Sequence, residues 1–417
     1  MGVPPSLARN RKALFVAICL GLALPRKASR AATWRRRYNS AMSEREHILG
    51  LTPEELKERV LALGMPAFRG KQVLEWIFEK RASSFEEMTN LSKGDRIQLA
   101  ERFVIFTSTV KRDLTSADGV RKLLLEWPAK GGETSGGLTE CVLIPCDDDQ
   151  CDDFGNTAVT HRRTACLSTQ VGCPVGCAFC ASGMEGLKEN LTTGQVVEQA
   201  LRLTHTLPKE GPGHRITNVV LMGMGEPLAN FAVTVAAVKV LMAPWAFHIS
   251  GRKITVSTVG LPPQMKKLAE AGVPVTLALS IHAPNDALRR KIIPWSEKIS
   301  LSQIAEAALY YFEKTGRELT LEYIMLDGVN TLPEHARELA GFAKKLRANV
   351  NLIYYNEVPE LAFKRPAGQT VFGFQTILRN AGVNVHVRKS RGREIAAACG
   401  QLARQEGKVE LTVKAGG

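Results

Sequence analysis

Three cysteines in the stretch Cys173-Pro-Val-Gly-Cys177-Ala-Phe-Cys180 constrain this chain more than any other feature. Their Cys-x-x-x-Cys-x-x-Cys spacing gathers three soft thiolate donors, the ligand type that zinc and iron–sulfur clusters take. Zinc cages are mostly built from paired Cys-x-x-Cys knuckles or Cys/His mixtures, and no second knuckle follows downstream. Three thiolates on a cubane leave one iron without a protein ligand, free to bind a substrate or cofactor. A zinc site completed by a distant Cys or His, or three unrelated core cysteines, is the competing reading.

The surrounding sequence places this stretch on a loop of an α/β fold. Thr192-Thr-Gly-Gln195 is a capping box, and Val196, Val197, Ala200, Leu201 and Leu203 follow at helical spacing. Beyond it, apolar β-branched runs at Ile216–Met222, Lys253–Ser257, Val275–Ser280, Leu319–Leu326 and Val350–Tyr355 alternate with helical stretches such as Phe231–Met242 and Leu301–Lys314. With the strand before Cys173 they make six parallel strands, a partial (β/α)6 barrel. Ligand sites in such folds lie at the carboxyl ends of the strands. There the chain places Gly223-Met-Gly225-Glu226-Pro227, Ser257-Thr-Val-Gly260, Ser280-Ile281-His282 and Asn356. Gly223 and Gly225 let backbone approach a ligand, and Glu226 can accept from an ammonium group. An ordinary tight turn, two strand-capping serines and a structural histidine are the plainer readings.

The net charge of +14 means little until it is located. Residues 1–43 hold nine Arg or Lys and no acid, so the remainder carries +5 (14 − 9). This segment, with an apolar run at Ala13–Leu24, reads as a targeting extension, or else as a basic RNA-binding arm. Nine cysteines, three of them clustered, suit a reducing compartment, and no run of eighteen apolar residues suggests a membrane span. A plastid or a mitochondrion reconciles the extension with a reduced cluster, the plastid being preferred and the cytoplasm the alternative.

Residues 44–110 read as a small helical accessory domain for RNA. Capping boxes at Thr52-Pro-Glu-Glu55 and Ser84-Phe-Glu-Glu87, with a weaker cap at Ser92, set off four short helices. Arg69, Lys71, Lys80 and Arg81 are expected to face solvent, where they suit a phosphate backbone. Residues 111–163 read as a β-hairpin extension, Lys122–Trp127 and Thr139–Ile144, with a loop at Cys146–Arg163. Residues 164–402 hold the barrel and a C-terminal cysteine loop, and 403–417 form a tail.

The aromatic residue before the last cysteine of the triad makes the motif resemble that of the radical S-adenosylmethionine superfamily. That resemblance implies a [4Fe-4S] cluster on Cys173, Cys177 and Cys180. It also implies S-adenosylmethionine held by Gly225, Glu226, Ser257, Ser280, Ile281, His282 and Asn356. Thr139-Glu140, Cys166, Met222–Leu228, Ser280–Asn285, Leu321–Asp327 and Arg388–Leu402 with Cys399 together closely resemble the RlmN family, whose members methylate C2 of adenine in large-subunit ribosomal RNA and in transfer RNA. Departures are the N-terminal extension, the longer Cys146–Arg163 loop with Cys146 and Cys151, and Tyr355-Asn-Glu-Val where a Trp-Asn-Pro-like run is usual.

The resemblance further implies a mechanism that consumes two S-adenosylmethionine molecules. One methylates Cys399; the other is cleaved to a radical that activates this methyl group for addition to C2. Glu140 then takes the C2 proton, and Cys166 attacks the Cys399 sulfur to release the product. The flanking Arg388, Lys389, Arg391 and Arg393 would favour a reactive thiolate and grip phosphates. Partners implied are RNA, an electron donor such as ferredoxin or flavodoxin, and a disulfide reductant; the protein is expected to be a monomer. Methylation at adenine C8, and an RNA-binding iron–sulfur protein without catalysis, are the alternative readings.

Overall fold

The computed structural model describes residues 45–129, 136–146, 161–388 and 390–402. The segment expected to be a targeting extension, the interior of the Cys146–Arg163 loop with Cys151, Lys389 and the 403–417 tail lie outside them.

A two-stranded pair, β1 (Glu46–His47) and β2 (Phe103–Val104), brackets the helical module. Inside it are α1 (Pro53–Ala62), α2 (Phe68–Phe78) and α3 (Lys93–Arg102). The Thr52 hydroxyl accepts from the Glu55 amide while the Glu55 carboxylate accepts from the Thr52 amide, so both ends of the box close. The Ser84 box opens a single 3-10 turn, Phe85–Glu87, in place of the fourth α-helix, and Phe85 drops into the core.

The rest of the chain is organised by one ten-stranded sheet. Strands β3 (Thr109–Thr115), β4 (Arg121–Glu126), β5 (Leu138–Cys146) and β6 (Arg162–Cys166) run antiparallel in sequence order. A short ribbon of β7 (Gln170–Gly172) and β8 (Leu187–Asn190) then flanks the cysteine stretch. From β6 the sheet continues in parallel through β9 (Asn218–Leu221), β10 (Ile254–Thr258), β11 (Thr276–Ser280), β12 (Leu319–Met325), β13 (Asn349–Tyr354) and β14 (Val385–Arg388). The expected α/β partial barrel is therefore present. It gains a seventh parallel strand, β14, and the hairpin extends the same sheet through β5 and β6. Leu277, Ala278 and Leu279 are wholly buried, as parallel strands covered on both faces require.

The crossover helices are α4 (Thr193–His205), α5 (Phe231–Met242), α6 (Pro262–Glu270), α7 (Asp286–Ile292), α8 (Leu301–Thr315), α9 (Pro333–Leu346) and α10 (Gly368–Asn380). Helix α4 begins in the expected Thr192–Gln195 box and buries all five of its predicted apolar positions. None of these helices is long and apolar enough to cross a membrane.

Two polar groups fasten the helical module to the barrel. Glu198 on α4, fully buried, accepts from the amides and hydroxyls of Thr107 and Ser108 and pairs with Arg202 at 3.3 Å and His47 at 3.4 Å. Arg81 donates to the carbonyls of Thr204, Leu207, Pro208 and His214. It is thus a strut and not an exposed phosphate contact, and Arg69 is likewise engaged by Asp95 at 3.2 Å. Of the four cations, Lys71 and Lys80 do face solvent. Glu198→Ala leaves several buried donors without an acceptor and is expected to lower stability by about 3–5 kcal/mol, measured as a reduced urea midpoint at unchanged m-value.

Candidate active site

The cysteine loop and the expected cofactor residues sit at the carboxyl ends of the parallel strands, while Glu140 lies within the antiparallel strand β5. A cavity of about 150 Å3 is lined by Cys173, Cys177, Cys180, Gly225, Glu226, Ser257, Ser280, His282, Glu322, Arg388 and Cys399, among others. The structure thus brings the three cysteines together with five of the seven expected cofactor residues.

The glycine turn after β9 is shaped by close approach. Gly225 has φ +107°, and a Cβ there would come within 2.7 Å of Gln170. Gln170 in turn accepts from the Glu226 amide at 2.8 Å. Gly225→Ala is expected to cost about 1–3 kcal/mol in backbone strain and to weaken S-adenosylmethionine binding, read by calorimetry on the folded variant. The Glu226 carboxylate accepts from Leu228 and Val259 amides at 3.0 and 2.9 Å, and burial pushes its pKa up to about 7. Ser257 and Ser280 hydroxyls meet at 3.0 Å across β10 and β11.

His282 has φ +53° and accepts the Ile324 amide at Nδ1, 3.0 Å away. Its proton therefore resides on Nε2, and burial drives its pKa down to about 3. Its ring stands edge-on to Phe179 of the cysteine loop, with centroids 5.0 Å apart. This histidine thus makes a structural hydrogen bond and also lines the cavity. Ile281 departs from expectation: it is fully buried in the main apolar core and does not line the cavity. Asn356 does not line it either; its amide donates to the Cys399 carbonyl at 3.2 Å.

The C-terminal loop is tied onto the cysteine stretch. The Ala181 amide donates to the Gly400 carbonyl at 2.9 Å, and the Ser182 hydroxyl to the Leu402 carbonyl at 2.7 Å. Cys399 is exposed, whereas Cys166 is buried in an apolar nest with Val142, Met224 and Ile395. Burial, reinforced by the nearby Cys399, pushes the Cys166 thiol up to about 12. Pairing of Val142 with Cys166 puts the two on one face of the sheet, and Glu140, two residues along β5, shares it. Sequence reasoning missed Lys122, also on this face, which pairs with Glu140 at 2.7 Å and donates to the Ala396 carbonyl at 3.1 Å. Glu140 and Lys122 line a second cavity of about 390 Å3 with Arg112, Met184, Met224 and Gln401.

Of the expected thiolate-favouring cations that are described, Arg388 lines the Cys399 cavity. It lies 3.4 Å from the buried Glu322, which also accepts from Asn351 at 2.8 Å. Arg391 instead donates to the Pro145 carbonyl, and Arg393 is exposed.

The donor set fits an iron–sulfur cubane. Among the described residues no three Cys, His, Asp or Glu side chains converge as a single-ion cage. A cubane needs no such convergence, since each thiolate takes its own iron. Phe179, Val175, Ile292 and Ile293 provide the apolar wall that such a cluster requires.

A three-thiolate loop opening on a glycine–acid turn, inside a parallel α/β sheet, defines a radical S-adenosylmethionine enzyme; the Radical SAM superfamily model matches residues 167–340. The model for the ribosomal RNA large subunit methyltransferase N-terminal domain matches residues 47–105. A probable dual-specificity RNA methyltransferase RlmN from Rhodopirellula baltica is 44% identical, covering 88% of this chain and 93% of that protein. The dual-specificity RNA methyltransferase RlmN of Dichelobacter nodosus is 39% identical over 87% of this chain and 95% of its own length. The crystal structure of a radical SAM methyltransferase from Sphaerobacter thermophilus is 38% identical, with a TM-score of 0.78 over 86% of this chain and 99% of that one. The chain belongs to the RlmN family of RNA methyltransferases. A [4Fe-4S] cluster and S-adenosylmethionine are the cofactors of this family's chemistry.

Proposed function

We propose that this protein methylates C2 of adenosine in large-subunit ribosomal RNA and in transfer RNA, through a methyl group carried on Cys399. The observation that carries this reading is the placement of Cys399. Its loop is tied to the cysteine triad through Ala181 and Ser182, with Cys166 nearby and Glu140 on the same sheet face as Cys166.

Cys173, Cys177 and Cys180 would hold the cluster, and Glu226, Ser257, Ser280 and His282 would cradle S-adenosylmethionine beside it. When bound, these cofactors supply a methyl group and the radical chemistry that an electron-poor aromatic carbon demands. The protein's own work lies in three side chains. Exposed Cys399 receives the methyl group on sulfur and presents it to the base. Glu140, kept beside Lys122, accepts the C2 proton. Cys166, held protonated in its apolar nest until the adduct forms, then gives up its proton and attacks the Cys399 sulfur; the sulfur–carbon bond breaks with its electron pair leaving on the carbon now joined to C2, that carbon takes a proton to complete the methyl group, and a Cys166–Cys399 disulfide results. An external one-electron donor and a disulfide reductant complete each cycle, and the enzyme acts as a monomer. The segment 1–43 is proposed as an organellar targeting extension.

Mass mapping of RNA incubated with the reconstituted enzyme tests the assignment: 2-methyladenosine is expected, and 8-methyladenosine would overturn it. Glu140→Gln is expected to slow turnover by about a hundredfold to ten-thousandfold, with cluster content unchanged. A chain beginning at Ser43 should retain full activity on naked RNA; loss of activity with the fold intact would make residues 1–43 an RNA-binding arm.

A further inference from the structure

Beneath the cysteine loop lies a positive charge that neither the fold nor the proposed chemistry has yet explained. Arg289 on α7 is 1% exposed and heads the roll of large side chains fully buried in this protein. It forms no ion pair among the described residues. Its guanidinium donates to two backbone carbonyls, Val259 at 2.5 Å and Ile299 at 3.4 Å, while Nε has no partner. Burial lowers its pKa to about 10, which still leaves it charged at neutral pH. A cation taken out of water and given only carbonyls is costly unless an anion lies close by.

The anion that the site can offer is the thiolate cage. Arg289 and the cysteine loop share one structural unit: the Ala178 amide donates to the Ile292 carbonyl at 3.0 Å, and Ile292 and Ile293 pack with Phe179 and Val175. As a thiolate, Cys177 would support the charge of Arg289, as does Asp286. The Asp286 carboxylate is turned to the Leu301 amide at 2.8 Å. A cluster on three thiolates carries net negative charge, and one-electron reduction adds another unit. The same guanidinium is also linked to the cofactor pocket, because Val259, whose carbonyl it holds, lines that pocket and donates its amide to Glu226.

We propose that Arg289 is the built-in counter-charge of the iron–sulfur cluster, favouring its reduced form and so making it easier to reduce. This rests on the cluster reading above. The step concerned is addition of one electron, from an external one-electron carrier, that takes the cluster from its 2+ to its 1+ state. A fixed cation within the low-dielectric wall stabilises the product of that step more than its reactant.

The test is an electrochemical titration of the reconstituted protein, with redox mediators and the reduced-cluster paramagnetic signal as the readout. For Arg289→Met the ratio of reduced to oxidised cluster at a fixed potential should fall at least tenfold, a midpoint lowered by about 59 mV for a one-electron couple. Arg289→Lys keeps the charge and should stay within threefold of the wild-type ratio. Iron content of both variants should match the wild type. An unchanged midpoint in the Met variant, or an equal fall in the Lys and Met variants, overturns the proposal. So does a Met variant that fails to fold, since Arg289 would then serve the Val259 and Ile299 carbonyls as scaffold. Failure of the wild type to take up a four-iron cluster would instead remove the underlying reading.

Discussion

Cys166→Ala is expected to stall with RNA covalently attached to the protein through Cys399, visible as a slow-migrating band in denaturing electrophoresis with labelled RNA. The reason lies in the unequal settings of the two thiols. Cys399 is exposed on a loop tied to the cluster stretch, where it can accept a methyl group and reach a base. Cys166 is buried among apolar side chains and stays protonated, so it does not compete for the first methyl group. Removing it leaves the early steps intact and deletes only the resolving attack. Cys399→Ala should behave in the opposite way, with no methylated protein and no adduct. Normal turnover by Cys166→Ala would rule out the methyl-cysteine route.

Replacing any one of Cys173, Cys177 and Cys180 by Ala is expected to remove the cluster and all methyl transfer. Two thiolates hold two irons of a cubane and leave the others to solvent. The apolar wall of Val175, Phe179, Ile292 and Ile293 offers no substitute ligand. Iron content and the visible absorption of the reconstituted protein measure the loss directly. Full iron retention by any of the three variants would sink the assignment of that residue as a ligand.

Much of this architecture was legible in the chain because its strands are dense in β-branched residues and helices such as α1, α4 and α8 open with closed capping boxes. The exceptions have physical causes. Strand β3 is a sheet-edge strand that alternates half-exposed with exposed residues, so it carries no apolar run. Strand β14 contributes only Val385 and Val387 as apolar residues, too few to distinguish it from a loop. Ile281 sits between two residues that line the cavity, yet its side chain turns into the core; adjacency in sequence could not reveal that. Nothing in the sequence singles out Glu198 or Arg289 as buried, because the groups they engage come from other segments of the chain. The cysteine triad was visible because its spacing suits few other ligand sets, the glycine–acid turn because it stands at a strand end, and Cys166 and Cys399 only through the resemblance to the RlmN family. Lys122 was not, since a lysine within an alternating strand looks like any solvated one.

The register between β5 and β6 has a consequence for how this protein can be cut and rejoined. Five residue pairs, from Val142 with Cys166 to Cys146 with Arg162, fix where Glu140 stands relative to Cys166. Lengthening a loop costs only about 0.6 kcal/mol for each doubling of its length, so insertions between Cys146 and Arg162 are expected to leave Glu140 and Cys166 in register. New termini opened between Cys146 and Arg162 would spare every strand of the sheet, which makes this connection the natural place to split the enzyme into two complementing halves.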